Sequence, residues 1–99
     1  MPIRFDWDPR KERRNRQRHD IGFDDASTIF ADDLSITIPD PEHSQEDERW
    51  VTIGLSHRER LLVVVHTEQD GHEVVRIISA RPADRDERRE YEEGHRRKR

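Results

Sequence analysis

Cysteine is absent from the 99 residues, which removes disulfides and thiolate metal sites and fits a reducing compartment. Aromatic residues are few, three Phe, two Trp and one Tyr, so the strands lack the interleaved rings on which single-stranded bases stack. Apolar residues make up only 29% of the chain, and no apolar run approaches the length of a membrane span. Residues 1 to 8 lack the hydrophobic stretch of a signal peptide, so the expected location is the cytoplasm, with no membrane contact. Arg and Lys are missing altogether from residues 20 to 48, which hold ten acids.

What is present is unevenly placed. Charged residues are 42% of the chain, a proportion that by itself borders on disorder. The apolar residues nevertheless concentrate between Trp50 and Ala80, where a core can form. Residues 1 to 19 carry seven bases against three acids, and the chain ends in Arg96-Arg97-Lys98-Arg99. Two basic regions flanking an acidic belt suit a protein with an anionic ligand and a basic partner; solvated surface charge is the plainer alternative.

Ile3, Phe5 and Trp7 alternate with polar residues, which predicts a short strand. Asp8-Pro9 then reads as N-cap and first residue of a basic helix ending at His19. Phe23, Ala26 and Phe30 recur at helical spacing, and Leu34, Ile36 and Ile38 alternate as a strand up to Pro39. Three further strands are predicted, Arg49 to Leu55, Arg60 to Thr67 and His72 to Arg81, joined as an antiparallel meander. An exposed acidic loop spans 42 to 48. Asp84 and Glu87 have capping-box spacing for a last helix to about Glu93. The expected organisation is one α+β domain over 1–94, with an antiparallel sheet of four to five strands, two N-terminal helices and a C-terminal helix. A disordered basic tail over 95–99 completes it.

Four stretches in this order resemble the BrnT toxin family: Phe5-Asp6-Trp7-Asp8 leading into the basic helix; Phe23 to Phe30 with Asp32; Glu48 to Gly54; and Arg76 to Arg81 followed by Glu87-Arg88-Arg89 and Tyr91-Glu92. The resemblance implies a RelE-like fold and metal-independent endoribonuclease activity that arrests translation, without a cofactor. It also implies a BrnA-like ribbon-helix-helix antitoxin that forms a hetero-oligomer, expected as a heterotetramer, and brings operator DNA to the pair. Where the family usually has Gly after the helix-ending histidine, this chain has His19-Asp20-Ile21-Gly22, so that helix end is expected to be shifted or strained. The alternative function is a non-catalytic binding module acting as co-repressor with a DNA-binding partner.

Metal-free RNA cleavage needs a base for the 2′-hydroxyl, cations for the phosphate and an acid for the departing 5′-oxygen. Arginine matches phosphate oxygens with its planar fork, and histidine is the usual acid or base. Symmetric loops between the last three strands would place Arg49 opposite His66 and His66 opposite Val74, with Arg76 one same-face step along. Arg49, His66 and Arg76 would then form one catalytic cluster, which a one-residue slip dissolves. The plainer alternatives are an edge-of-core His66 and an Arg76 paired with Glu68 or Glu73.

Arg60 lies on the His66 face but roughly 20 Å away along the strand, so at most one of the two belongs to the site. Arg81 is a fourth catalytic candidate, supported by the phosphate-contacting arginine that RelE-like ribonucleases place near the end of their last strand. Otherwise it pairs with the final helix through Asp84. Tyr91 either meets the RNA or anchors its helix, the anchor being favoured. Arg10, Lys11 and Arg14 on the first helix, with Arg60, are the candidate RNA-binding residues, while His19 at that helix's C-terminus has a sufficient structural explanation in the dipole. The six histidines show no metal-ligating spacing, and no metal is expected.

Overall fold

Alternating apolar residues in the central segments build a five-stranded sheet whose two faces are covered unequally. The computed structural model describes residues 3–40, 42, 48–69, 71 and 73–97, with the backbone alone for 95–97. In chain order the elements are β1 (Arg4–Trp7), α1 (Pro9–His19), α2 (Phe23–Ser27), a 3-10 turn (Thr28–Ala31), β2 (Ile36–Pro39), β3 (Arg49–Leu55), β4 (Leu61–Gln69), β5 (Val74–Pro82) and α3 (Arg85–Arg97). The spatial strand order is β1-β5-β4-β3-β2.

The sheet is mixed, which corrects the expected all-antiparallel arrangement. β2 to β5 pair antiparallel, but β1 lies parallel to β5, with Phe5 opposite Val75 and Trp7 opposite Ile77. Helix α1 makes this possible by carrying the chain across the sheet, as parallel neighbours require a crossover. Four residues of β1 cover only Val74 to Ile77, leaving β5 from Ile78 to Pro82 beside α1 instead of a strand. There the buried Asn15 of α1 accepts a hydrogen bond from the Ala80 amide at 3.1 Å and donates to the Ile21 carbonyl at 3.0 Å.

Local chemistry sets the ends of α1. Asp8 accepts a hydrogen bond from the Arg10 amide, which holds its carboxyl below the usual range, and Pro9 opens the first turn. The helix ends after His19, where Asp20 takes the left-handed conformation, φ 58°, and its amide donates to the Arg16 carbonyl. Asp20 therefore occupies the conformation that glycine adopts freely, and the helix end is strained without being displaced. Arg60 steadies it by donating to the Asp20 carbonyl at 2.9 Å.

The face under α1, α2 and the 3-10 turn holds the main core: Ile21, Phe23, Ala26 and Ile29 pack on Leu62, Val64, Val75, Ile77 and Ala80. Phe5, Trp7 and Phe30 close its edges. Each large side chain buried there contributes about 1.5–3 kcal/mol. Gly54 lets the turn approach β3, because a Cβ at that position would stand 3.0 Å from the Ile29 Cβ and 3.1 Å from its carbonyl oxygen.

On the other face a smaller cluster of Ile53, Leu61, Val63 and Tyr91 seats α3 at one end of the sheet. Tyr91 is nine-tenths buried, and its hydroxyl donates to Asp32 at 2.6 Å. Burial and the Asp32 carboxylate push its pKa up to about 12. The helix continues through residues 95–97, which the sequence assigned to the tail; residues 98 and 99 lie outside the described residues. Most of the expected acidic loop, residues 43–47, lies outside them as well.

Candidate active site

Strand register decides which charged side chains share the uncovered part of the second face. Arg49 stands opposite Thr67, not His66, and Leu55 opposite Leu61, not Arg60. Between β4 and β5 the pairing steps from Val65–Ser79 to His66–Ile77, leaving Ile78 as an extra residue in β5. Such a bulge reverses the alternation beyond it. Without it Arg76 and Arg81, five residues apart, would point to opposite faces. With it, Arg76 opposite Thr67 and Arg81 opposite Val63 point to the same one.

The expected Arg49–His66–Arg76 cluster therefore does not form, but its two arginines stay together and gain Arg81. Arg49, Thr67 and Arg76 are lateral neighbours across β3, β4 and β5. Arg76 forms a salt bridge to Asp6, its partner on β1, a pairing that the sequence reading did not anticipate. Lys11 lines the same shallow hollow as Arg49 and Arg76. Next to it a groove of about 440 Å³ has a floor of Val51, Val63 and Val65, with the charged residues Arg49, Arg81, Glu87, Asp40 and Glu42 at its margin.

Arg81 is held by Glu87. Its Nη1 and Nη2 donate to the two carboxylate oxygens at 2.7 Å each. The pair holds the Glu87 carboxyl below its usual range and raises the pKa of Arg81. The capping box is present too: the Glu87 amide donates to Asp84 Oδ1 at 2.8 Å, and the Asp84 amide donates to Glu87 Oε1 at 2.9 Å. Arg81 thus meets the final helix through Glu87 where Asp84 was expected. The spacing identifies Glu87 only as a cap; its place beside Arg81 depends on the bulge.

Beyond Arg81, between α1 and the unpaired half of β5, lies a second groove of about 360 Å³. It is lined by Lys11, Arg14, Arg18 and His19 of α1 and by Ser79 and Arg81 of β5, with no carboxylate among its lining residues. Lys11, Arg14 and Arg18 follow each other at three- and four-residue steps along the helix face that also carries the buried Asn15. Arg18 was missed in the sequence although it continues that spacing, while Arg10 is exposed on the first turn.

Two candidates are committed elsewhere. His66 lies on the helix-covered face and is fully buried, its ring 4.9 Å from that of Phe30. Its Nε2 is 2.7 Å from the Thr52 hydroxyl, and burial lowers its pKa to about 4. Arg60 clasps the buried Asp25 through Nε at 3.3 Å and Nη2 at 2.9 Å, besides its bond to Asp20. Both residues tie the covered face together. Among the described residues no three His, Asp or Glu side chains gather as metal ligands, and no helix is long and apolar enough to cross a membrane.

A family model described as "Ribonuclease toxin, BrnT, of type II toxin-antitoxin system" matches residues 7–87. Among solved structures the chain is similar to the 1.1 Å crystal structure of the Brucella abortus ribonuclease toxin BrnT. The identity is 21% and the TM-score 0.63, over 84% of this chain and 99% of the Brucella chain. No curated protein sequence matches.

Proposed function

The chain belongs to the BrnT family of ribonuclease toxins of type II toxin–antitoxin systems, and from that premise we propose that its arginine-lined sheet face cleaves RNA. The observation that carries this assignment is the placement of Arg49 of β3 and of Arg76 and Arg81 of β5 on one face, either side of β4. Guanidinium groups stay charged at every physiological pH, and their planar forks fit the oxygens of a phosphodiester as its charge builds. These arginines, beside the carboxylates Glu48 and Glu68 in one hollow and Asp40, Glu42 and Glu87 in the other, supply the cations for the phosphate, which supports a metal-independent endonuclease in the RelE-like manner that leaves a 2′,3′-cyclic phosphate. Lys11 and Arg14, with Arg10 nearby, extend the track for the RNA backbone along α1.

The toxin acts in the cytoplasm, where cutting RNA arrests translation. A BrnA-like ribbon-helix-helix antitoxin neutralises it in a heterotetramer, and operator DNA is met only through that antitoxin. The acidic stretch from Asp20 to Glu48 offers charge for a basic partner segment.

Partner-free protein incubated with single-stranded RNA in the presence of chelator tests this directly. The expected result is cleavage to cyclic-phosphate ends, with growth arrest in cells that express the chain alone. Arg49→Ala and Arg81→Ala are each expected to lower the rate about 100-fold. Intact RNA, with operon repression on co-expression of the antitoxin, would overturn the assignment in favour of a co-repressor module.

A further inference from the structure

We propose that Glu87 is the general base of RNA cleavage, masked by Arg81 and released when a substrate phosphate takes that arginine; this rests on the ribonuclease assignment above. Glu87 lines the same groove as Arg49 and Arg81, and both of its carboxylate oxygens are engaged by the Arg81 fork. A guanidinium that holds a carboxylate in two parallel bonds presents the geometry that a phosphate also takes. Glu87 and the incoming phosphate therefore compete for one pair of donors.

When the phosphate wins, the carboxylate stays beside it. The capping box with Asp84 holds Glu87 at the first turn of α3 independently of Arg81. The Arg81 contact is the largest of the causes that depress the basicity of Glu87, ahead of the Asp84 hydrogen bonds, so its loss raises that basicity at the moment a ribose arrives. His66 cannot serve, being fully buried on the opposite face.

The chemistry balances as a transesterification. Glu87 takes the proton of the ribose 2′-hydroxyl, the 2′-oxygen bonds to phosphorus, and the bond from phosphorus to the 5′-oxygen breaks. The departing oxygen takes a proton from water, and Glu87 returns its own to water. The products are a 2′,3′-cyclic phosphate and a 5′-hydroxyl.

The charged groups around Glu87 are Arg81 on β5, Asp84 capping the start of α3, and Arg49, Asp40 and Glu42 along the groove. An acid limb in the rate profile is assigned to Glu87 only when substitution there removes it.

The test uses the full chain freed of its antitoxin, a short cleavable single-stranded RNA, and the same strand with 2′-O-methyl groups, which binds without reacting. Glu87→Gln keeps an oxygen for the Asp84 amide, since capping boxes accept Gln as well as Glu, and removes the base. Its kcat is expected to fall about 100-fold or more with loss of the acid limb, while the 2′-O-methyl strand binds as well or more tightly. Glu87→Asp, a shorter carboxylate, is expected to retain part of the rate.

Wild-type kcat and an unchanged acid limb in Glu87→Gln would overturn the proposal alone and leave Glu87 as a helix cap. A wild-type chain that neither binds the 2′-O-methyl strand nor cleaves RNA would overturn the ribonuclease assignment and this one with it.

Discussion

The two faces of the sheet are built from the same strands yet serve opposite ends. On the face beneath α1 and α2, polar groups are largely consumed internally: Asp25 by Arg60, Asn15 by the edge of β5, and His66 by Thr52 at Nε2, while its buried Nδ1 has no hydrogen-bond partner among the described residues. On the other face α3 covers one end, and among the described residues the rest shows valine flanked by arginines and carboxylates. A strand places alternate residues on opposite sides at no extra cost, so one segment can carry both a core and a binding surface. The covering elements decide which side becomes which.

Substitutions that separate stability from activity would break this division. Phe23→Ala removes a fully buried ring from the covered face and is expected to cost about 3–5 kcal/mol, read as a lower denaturant midpoint. That is a large share of the 5–15 kcal/mol typical of a whole domain.

His66 makes the covered face sensitive to acid. Its folded pKa of about 4 lies below the ordinary 6.5, so the unfolded chain binds its proton first. The stabilisation from a neutral His66 is complete above pH 6.5 and is lost as the pH falls towards 4, by roughly 3 kcal/mol in total. Urea unfolding at pH 7 and pH 5 is expected to show part of that loss, and His66→Gln to lessen it. Equal pH dependence in the two proteins would show that His66 titrates normally.

At the hinge between the faces, Tyr91→Phe keeps the ring and deletes the bond to Asp32. About 1.5–3 kcal/mol is expected, with faster hydrogen exchange in α3 than in the strands. A uniform acceleration throughout would mean that α3 and the sheet open together.

The smallest stability effect belongs to the open surface. Lys11→Ala with Arg14→Ala is expected to shift unfolding by less than about 0.5 kcal/mol while weakening RNA binding and flattening its salt dependence. A stability loss as large as that of Tyr91→Phe would mean that these stems hold α1 to the sheet.

Much of this division is legible before any coordinates. Strand β3 runs from Arg49 to Leu55 as its pattern predicts, Asp8 caps α1, Asp84 and Glu87 form their box, and Tyr91 anchors α3. Each signal acts over a few neighbouring residues, within reach of periodicity and cap chemistry. The parallel pairing of β1 was hidden because a four-residue strand carries no mark of its partner's direction. The site was only half visible, since its cations could be named but not placed. Expecting symmetric loops and no bulge put His66 with Arg49 and left Arg81 apart.

The sequence by itself determined the elements, the segregation of charge and the set of arginines able to meet a phosphate. Tertiary structure alone decided which of them stand together. One extra residue, Ile78, turns Arg81 onto the face of Arg49 and Arg76, and pairing Trp50 rather than Arg49 with His66 sends the histidine into the core. Face assignment follows from register and bulges, and these are settled by packing between strands distant in the chain.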